Sequence, residues 1–334
     1  MERAAASGVD VLVVAGGDTT GWRGAARELG AAFQGAGASV VIADMGPVPV
    51  VRTFMATDFL QARAARRAAV GGIAEHRPRA VVYCSMTAAL LWPRPGAVWL
   101  DTISAETRPG RHGIWQRVVE RRRLAEAPLL LTMAPGSLAA LGDRPHAESV
   151  LVPVAVQSSG PVSGARDIDV LAYTGNPVKR RLDYILASWE RTRRDAETLV
   201  VAGLEPPGPP IPGVRFVGRL PREEFRALLR RARVFVTAPR REDFGITALE
   251  ALADGCQLVT TPAPGPYAAL DLARMLDARL VSDDLVPALR WALDDPSPGY
   301  AKRAAELVAP FSRSAVAATL GERVLPRLLP GWRA

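Results

Sequence analysis

Cysteine, histidine and lysine are scarce in this chain of 334 residues, and long hydrophobic runs are absent. The two cysteines, Cys84 and Cys256, lie far apart, which excludes a disulfide scaffold, argues against a zinc cluster and favours a reducing compartment. The three histidines have no ligand spacing, so no metal site is expected. The longest uncharged runs, 149–165 and 127–142, contain proline and glycine and fall short of the roughly 18 apolar residues of a membrane span. Residues 1–8 lack the apolar core of a signal peptide, so we expect a cytoplasmic protein.

Positive charge exceeds negative charge, but it is not concentrated in one part of the chain. The net charge is +8, and residues 1–160 and 161–334 carry +4 each. All of the 42 basic residues are arginine except Lys179 and Lys302. Nucleic-acid binding requires clustered charge interleaved with aromatic side chains, and only 6% of the residues are aromatic. No nucleic-acid partner is therefore expected.

Short apolar segments alternate with helical stretches along the whole chain. The first of them, Val9–Ala15, is apolar apart from Asp10 and is followed by two glycines, which is typical of a strand buried on both faces. Repeated alternation of this kind predicts an α/β fold with parallel sheets that helices cover on both faces. The predicted strands are 9–15, 39–43, 80–84, 97–100, 129–133, 170–173, 198–202, 214–217, 234–237 and 257–260. The predicted helices are 24–34, 60–75, 115–127, 182–191, 222–230, 245–254, 286–293, 300–308 and 314–329.

The pattern stops and restarts once, which predicts two domains. Residues 157–165 are rich in serine, glycine and proline, as is typical of a linker. A chain of this length with 49% hydrophobic residues can form two cores. We expect an N-terminal domain at 1–156, a C-terminal domain at 166–298 and terminal helices at 299–334 that cross back to the first domain. Ligands are expected at the carboxyl ends of the strands, where the two domains meet.

Residues 214–262 contain the charges and glycines most typical of a ligand site. A strand is followed by a turn that contains Glu242, and Gly245 then opens a helix. The first N–H groups of a helix are unsatisfied and its dipole is positive there, so this end predicts an anion site that a ligand can approach closely. Glu250 lies four residues after Ile246, on the same face of a largely apolar helix. Because an unpartnered buried carboxylate is costly, Glu250 is interpreted as a ligand contact, the alternative being a residue that faces solvent or complements the dipole.

An ordered series of motifs in this segment resembles the donor-binding half of glycosyltransferase family 4, which comprises retaining enzymes of the GT-B fold. The series extends over roughly fifty residues. It consists of Phe-Val-Gly-Arg at 216–219, a helix that begins Pro-Arg-Glu-Glu, Val-Phe-Val-Thr-Ala-Pro at 234–239, and Glu242 and Glu250 with Phe-Gly-Ile between them. The resemblance implies a GT-B fold, in which two Rossmann-like domains with parallel sheets face each other across a central cleft.

The same resemblance implies a role for each matching residue. Glu250 would accept hydrogen bonds from the nucleotide ribose, and Glu242 would be the catalytic residue that contacts the donor sugar. Backbone N–H groups would hold the sugar and the diphosphate at Phe244, Gly245, Ile246 and Thr247. The backbone that meets the base would be that of Gly218, Arg219 and Leu220.

A second landmark of the family is Gly-Arg followed by Lys-Gly at the start of the C-terminal domain. Gly175 is present here, but Asn176 takes the place of the arginine and the loop is shorter. Lys179 or Arg180 would supply the cation for the diphosphate, and the sequence leaves open which of them does so. Basic residues at a helix start are unfavourable to the helix dipole, which favours an anionic ligand over a solvated cluster.

The N-terminal half matches the family more loosely. Gly16, Gly17 and Asp18 follow the first strand and resemble the glycine loop on the acceptor side of the cleft, although such a glycine pair is also usual in a tight turn. Asp101 stands where many members have a histidine. It is interpreted as a catalytic residue that orients an acceptor hydroxyl or amine, or as the cap of a turn.

The resemblance implies transfer of a sugar from a nucleotide-diphosphate sugar, with a UDP-sugar favoured, to a small-molecule acceptor such as an aminocyclitol or another secondary metabolite. The nucleotide sugar would be a co-substrate, and neither a cofactor nor a metal ion is expected, because no Asp-x-Asp motif adjoins the site. A membrane-associated enzyme with a lipid acceptor is the alternative, because Arg117 and 121–123 flank Trp115, Val118 and Val119 on one helix. A non-catalytic nucleotide-sugar-binding homologue and a nucleotide-sugar 2-epimerase are further alternatives.

Overall fold

The computed structural model describes residues 8–16, 20–49, 51, 53–161 and 166–333, and the chain forms two compact units. The first unit comprises the chain up to residue 155 together with the residues from 311 onwards. The second unit comprises residues 156–310. Each unit is built around one parallel sheet, as the alternation of strands and helices predicts.

The sheet of the first unit has six strands. They are β1 (Val11–Ala15), β2 (Val40–Asp44), β3 (Ala80–Cys84), β4 (Ala97–Leu100), β5 (Leu130–Thr132) and β6 (Ser149–Leu151). All neighbours are parallel, in the order β2-β1-β3-β4-β5-β6. Every residue of β1, β3 and β4 is buried, which explains their nearly continuous apolar sequences.

Helices of the first unit follow these strands. They are α1 (Thr20–Gly35), α2 (Phe54–His76), α3 (Met86–Ala89), α4 (Ser104–Thr107) and α5 (Ile114–Glu126). Thr53 caps the start of helix α2, and its Oγ1 accepts a hydrogen bond from the N–H of Ala56 at 3.2 Å. The helix ends at Arg77, which has a left-handed backbone with φ +46°. The core beneath α2 and α5 includes Leu100 and Leu124.

The sheet of the second unit has five strands. They are β7 (Ile168–Tyr173), β8 (Leu199–Ala202), β9 (Val214–Phe216), β10 (Ala232–Thr237) and β11 (Gln257–Thr260). They are parallel, in the order β11-β10-β7-β8-β9. The helices of this unit are α6 (Leu182–Thr192), α7 (Arg222–Arg231), α8 (Ile246–Ala253), α9 (Ala268–Leu276), α10 (Leu285–Asp294) and α11 (Tyr300–Val308).

The terminal helices divide between the two units. Helix α11 packs against α8 and α9 and belongs to the second unit, so the chain returns to the first unit at 311, later than the sequence boundary at 299. Helix α12 (Arg313–Thr319) continues through a π-helical turn at Leu320–Val324 into α13 (Leu325–Leu328). Helix α12 packs against α1, and Arg313 forms an ion pair with Glu28 at 2.8 Å.

Candidate functional site

The second sheet has a switch point between β7 and β10. The chain leaves β7 through α6 to β8 on one side, and it leaves β10 through α8 to β11 on the other side. The two loops at the carboxyl ends of β7 and β10 therefore diverge and leave a crevice, which is where ligands bind in open parallel sheets. The candidate residues 175–180 lie on the first loop, and 242–247 lie at the end of the second.

The loop after β7 is a turn that presents two cations. The Asn176 side chain accepts a hydrogen bond from the N–H of Lys179 at 2.9 Å, and the Asn176 carbonyl accepts one from the N–H of Arg180 at 3.0 Å. Asn176 thus replaces the expected arginine with a residue that shapes the loop. Arg181 has a left-handed backbone with φ +48°, and its guanidinium donates to the Ala238 carbonyl at 2.9 Å, which ties this loop to the one after β10.

The chain is crowded where β7 ends, around Gly175 and Gly203. A Cβ atom on Gly175 would lie 2.7 Å from Oη of Tyr173, and one on Gly203 would lie 2.6 Å from the Gly175 nitrogen. Thr174 is fully buried, and its hydroxyl has no hydrogen-bond partner in the part of the chain that the structure describes. The sequence reasoning missed Thr174, because a threonine at a strand end has no distinctive signal.

Glu242 meets both cations of the first loop. It is 6% exposed, and its Oε1 lies 3.6 Å from Nζ of Lys179, while its Oε2 forms an ion pair with Arg180. The sequence left open which cation belongs to the site, and the structure places both of them on the same carboxylate. Two positive charges against one negative charge leave an excess of positive charge at this point of the crevice.

Helix α8 begins beside the Glu242 carboxylate at Gly245, where any other residue would be strained. Gly245 has φ +87°, and a Cβ atom on it would lie 2.5 Å from the ring of Tyr267. Because Gly245 has no side chain, it does not cap the first N–H groups of α8, which include those of Ile246 and Thr247. Phe244 is buried just before the helix. The expected anion-binding end of α8 and the cations of the β7 loop thus adjoin the same glutamate.

Glu250 is buried as expected, but it is not unpartnered. Its Oε1 lies 2.8 Å from Nη2 of Arg222 and 3.2 Å from Nη1 of Arg226, two arginines one turn apart on α7. The sequence argument for a ligand assumed that Glu250 has no partner inside the protein. That assumption is wrong, because two arginines of α7 supply the positive charge. Burial raises the pKa of Glu250, and the two arginines oppose that rise.

Arg226 is a buried side chain with several hydrogen-bond and ion-pair partners, and the sequence reasoning missed it. It is 5% exposed, and its Nε donates to Oδ2 of Asp254 at 2.7 Å, while its Nη2 donates to the Gln157 carbonyl at 2.8 Å. Asp254 also accepts a hydrogen bond from the N–H of Ser159 at 2.8 Å. The spacing of Arg222 and Arg226 on α7 matches that of Glu250 and Asp254 on α8, and this four-residue repeat is the signal that could have revealed the network.

The candidate base-binding backbone lies further along the same edge. Gly218 follows β9, and its carbonyl accepts a hydrogen bond from the N–H of Gly203 at 2.8 Å. Gly218 has φ +68°, and a Cβ atom there would lie 2.6 Å from Oε1 of Glu205. Arg219 is exposed and Leu220 is partly buried. The residues expected to hold the donor thus follow β7, β9 and β10 at one edge of one sheet.

The acceptor-side candidates belong to the first unit. Asp101 directly follows β4, and its Oδ1 accepts a hydrogen bond from the N–H of Thr102 at 2.8 Å. Gly16 follows β1, and a Cβ atom on it would lie 2.3 Å from Oγ of Ser85. Both positions are at the carboxyl edge of the first sheet, and Gly16 lies at its switch point between β1 and β3. Gly17 and Asp18 lie outside the described residues.

The part of the chain that the structure describes contains neither a candidate metal centre nor a candidate membrane span. Among the residues with assigned positions, no group of three or more histidine, cysteine, aspartate or glutamate side chains could hold a metal ion. Within the same ranges, no helix has the length and apolar character needed to cross a bilayer.

Sequence comparison finds a relationship for the second unit. Residues 168–295 match the family model described as glycosyl transferases group 1. This range includes both loops of the switch point and the α7–α8 network. No curated protein matches the chain in sequence.

Solved structures resemble nearly the whole chain at low sequence identity. WaaG, a glycosyltransferase involved in lipopolysaccharide biosynthesis, is 14% identical, with 97% of this chain and 100% of that chain covered and a TM-score of 0.69. Sucrose-phosphate synthase from Thermosynechococcus elongatus is 15% identical, with coverage of 93% and 97% and a TM-score of 0.64. The E. coli structure described as trehalose-6-phosphate bound with UDP-2-fluoro glucose is 10% identical, with coverage of 95% and 99% and a TM-score of 0.62.

These likenesses establish the fold. The two α/β units have parallel sheets of six and five strands, and WaaG and sucrose-phosphate synthase match the chain over almost their full length. The chain therefore has the GT-B fold, as the resemblance implied, and its second unit is similar to the group 1 glycosyl transferases.

Proposed function

We propose that this chain is a retaining glycosyltransferase of the family 4 type that transfers a sugar from a nucleotide-diphosphate sugar. The observation that carries the proposal is the convergence of Lys179 and Arg180 on Glu242 in front of the glycine that opens α8. This arrangement combines an excess of positive charge, the start of a helix that its first residue does not cap, and a buried carboxylate at one switch point. A nucleotide-diphosphate sugar, in which the diphosphate lies between the ribose and the donor sugar, suits that combination.

The leaving diphosphate determines the role of the cations. As the bond between the anomeric carbon and the phosphate oxygen breaks, negative charge grows on the departing diphosphate. Lys179, Arg180 and the N–H groups at 244–247 stabilise that charge, which is preorganised electrostatic catalysis. When the diphosphate binds, the two cations turn from Glu242 toward the phosphate oxygens, and the freed carboxylate accepts hydrogen bonds from the hydroxyls of the donor sugar.

The α7–α8 network holds the nucleoside. The Glu250 carboxylate accepts the ribose hydroxyls while Arg222 and Arg226 hold it in place through Oε1. The backbone at 218–220 faces the base. We favour a UDP-sugar, because one of the structures with the same fold is bound with UDP-2-fluoro glucose.

The acceptor reacts with retention of configuration and without a cofactor or a metal ion. Its hydroxyl oxygen or amine nitrogen forms the new bond to the anomeric carbon as the bond from that carbon to the phosphate oxygen breaks, and the proton of the acceptor group passes to the departing phosphate oxygen. Asp101 orients the acceptor hydroxyl or amine. We propose a small-molecule acceptor, with an aminocyclitol or another secondary metabolite as the first choice, and a cytoplasmic location.

A panel of nucleotide sugars tests the donor class. Ligands that bind only the folded state raise the melting temperature, and at equal concentration the tighter-binding ligand raises it more. UDP-sugars should raise it more than GDP- and ADP-sugars at equal concentration, and Arg180→Met should abolish the rise. The proposal fails if no nucleotide sugar raises the melting temperature of the native chain.

A further inference from the structure

The outer face of α5 is apolar at its start and basic further along. Ile114 and Val118, one turn apart, are 54% and 59% exposed, and Arg121 is exposed one turn further on. The opposite face, with Gln116 and Glu120, is buried. This corrects the sequence interpretation of the helix, in which Trp115 and Val119 shared the solvent face with Val118, because both of them pack against the core.

The outer face of α2 has the same composition. Met55 and Phe59 are 40% and 43% exposed, and Arg63, Arg67 and Val70 follow on the same exposed face. The guanidinium carbon of Arg63 lies 5.9 Å from the centre of the Phe59 ring. Exposed apolar side chains are usual when they are single, but here they recur at helical spacing on two helices.

Contacts between α2 and α5 place the starts of the two helices side by side. The rings of Phe59 and Trp115 are 6.0 Å apart, edge to face, and Gln116 donates a hydrogen bond to Asp58 beneath them. The exposed apolar side chains near this contact are Met55, Phe59, Ile114 and Val118, which we call the α2–α5 strip.

The outward charge that α2 and α5 present around the strip is positive, because the acidic residues of these helices closest to it are turned inward. Asp58 is 3% exposed and forms an ion pair with Arg108 at 2.8 Å. Glu120 is 2% exposed and accepts a hydrogen bond from the Ser104 hydroxyl at 2.7 Å. The exposed acids of these helices, Glu75 and Glu126, lie at their carboxyl-terminal ends, away from the strip.

The strip lies at the edge of the sheet where the acceptor-side residues are. Helix α2 follows β2, and α5 follows the loop from β4, so both helices begin at the carboxyl edge of the first sheet. Asp101 lies at the same edge.

We propose that the α2–α5 strip is the docking surface for a membrane leaflet that contains anionic lipid. Four apolar side chains enter the boundary between headgroups and acyl chains, and Arg63, Arg67 and Arg121 bind the lipid phosphates. Contact between two copies of the strip is disfavoured, because a two-fold interface would set the arginines of one copy against those of the other. The inference does not depend on the proposed glycosyl transfer.

Vesicle sedimentation with the full chain tests this surface. The chain should sediment with equimolar phosphatidylcholine and phosphatidylglycerol vesicles and remain in solution with phosphatidylcholine alone. The arginine contribution should weaken as salt is added. Replacement of Arg63, Arg67 and Arg121 by glutamine should lower the partition coefficient by roughly fivefold for each arginine. The double variant Ile114→Ser, Val118→Ser should lower it by at least about tenfold.

Matched controls come from the second unit. Met275 is 62% exposed and Arg191 is exposed, and Met275→Ser and Arg191→Gln should leave the partition coefficient unchanged. Circular dichroism confirms that each variant is folded. The proposal is overturned if the native chain does not prefer anionic vesicles, or if folded strip variants bind as the native chain does. It is also overturned if light scattering finds a native dimer that these strip variants convert to a monomer.

Discussion

The guanidinium of Arg226 lies between two carboxylates, 3.2 Å from Oε1 of Glu250 on α8 and 2.7 Å from Oδ2 of Asp254, which caps the end of that helix. All three side chains are almost completely buried. Arg226 also donates to the carbonyl of Gln157, close to the point where the chain enters the second unit. The candidate ribose-binding carboxylate and the entry segment thus share one buried cation.

Arg226→Met should strongly destabilise the second unit. The substitution leaves two buried carboxylates short of a charge partner, and breaking a buried ion pair in this way costs about 3–5 kcal/mol. Arg230→Met is the control, because Arg230 lies one turn further on α7 and contacts Ser159 but neither carboxylate. Its cost should stay within about 1 kcal/mol. Urea denaturation measures the free energy of unfolding of both variants, and equal losses of stability would contradict the assigned role of Arg226.

Arg222→Gln should change the pH dependence of UDP binding. Burial raises the pKa of Glu250 above its usual value of 4.5, and Arg222 opposes that rise. Removal of Arg222 therefore raises this pKa further, so Glu250 becomes protonated at higher pH and accepts ribose hydroxyls less well. UDP affinity should begin to fall at a higher pH than in the native chain as the pH is lowered. Titration calorimetry over mildly acidic to neutral pH measures this shift, with Arg191→Gln as the control. Superimposable profiles for Arg222→Gln and the native chain would remove Glu250 from the nucleotide site.

Gly245→Ala should lower the free energy of unfolding more than Gly299→Ala, the same change at a comparable helix start. Gly245 and Gly299 both precede a helix with a left-handed backbone, at φ +87° and +64°. A left-handed non-glycine residue costs about 1–2 kcal/mol, which applies to both alanine variants. Only the Gly245 variant meets a ring, that of the buried Tyr267, whereas the nearest atom at Gly299 is 3.9 Å away. Overpacking should add about 1–3 kcal/mol. Melting curves of the two variants measure the loss of stability in each. Equal losses for Gly245→Ala and Gly299→Ala would contradict the prediction.

Glu242→Gln should separate donor binding from transfer. The amide keeps the shape of the side chain but no longer neutralises Lys179 and Arg180, so UDP should bind at least as tightly as to the native chain. Transfer should fall by about a hundredfold or more, because the group that contacts the donor sugar has changed. Calorimetry with UDP and a turnover assay with the UDP-sugar measure the two effects. Loss of UDP binding in a folded Glu242→Gln variant would contradict this division of roles.

Strands were easier to predict from the sequence than the helices that carry surface features. The predicted bounds of β3, β4 and β11 agree with the structure, because buried parallel strands are short apolar runs with clear ends. The helix predicted at 60–75 begins at Phe54 instead, so the sequence reasoning left Met55 and Phe59 outside it. Helix α9 was not predicted, because it follows a segment rich in proline and glycine.

The chemistry of the site was predictable only in part. The motif order indicated Glu242, Glu250 and the two cations, since their identities and spacing are local features of the sequence. Their partners were not predictable, because the pairing of Glu250 with Arg222 and Arg226 depends on how α7 packs against α8. Local periodicity alone does not determine which faces of two helices meet.

Donor turnover tests the central claim most directly. The release of nucleoside diphosphate from UDP-, GDP- and ADP-sugars should be measured for the native chain, for Glu242→Ala and Glu250→Ala, and for the control Asp271→Asn, whose side chain is 78% exposed on α9. The native chain and the Asp271→Asn variant should turn over a nucleotide sugar, and both glutamate variants should lose this turnover. Full turnover by folded Glu242→Ala and Glu250→Ala would contradict the site, and no turnover by the native chain with any donor and acceptor would contradict the proposed reaction.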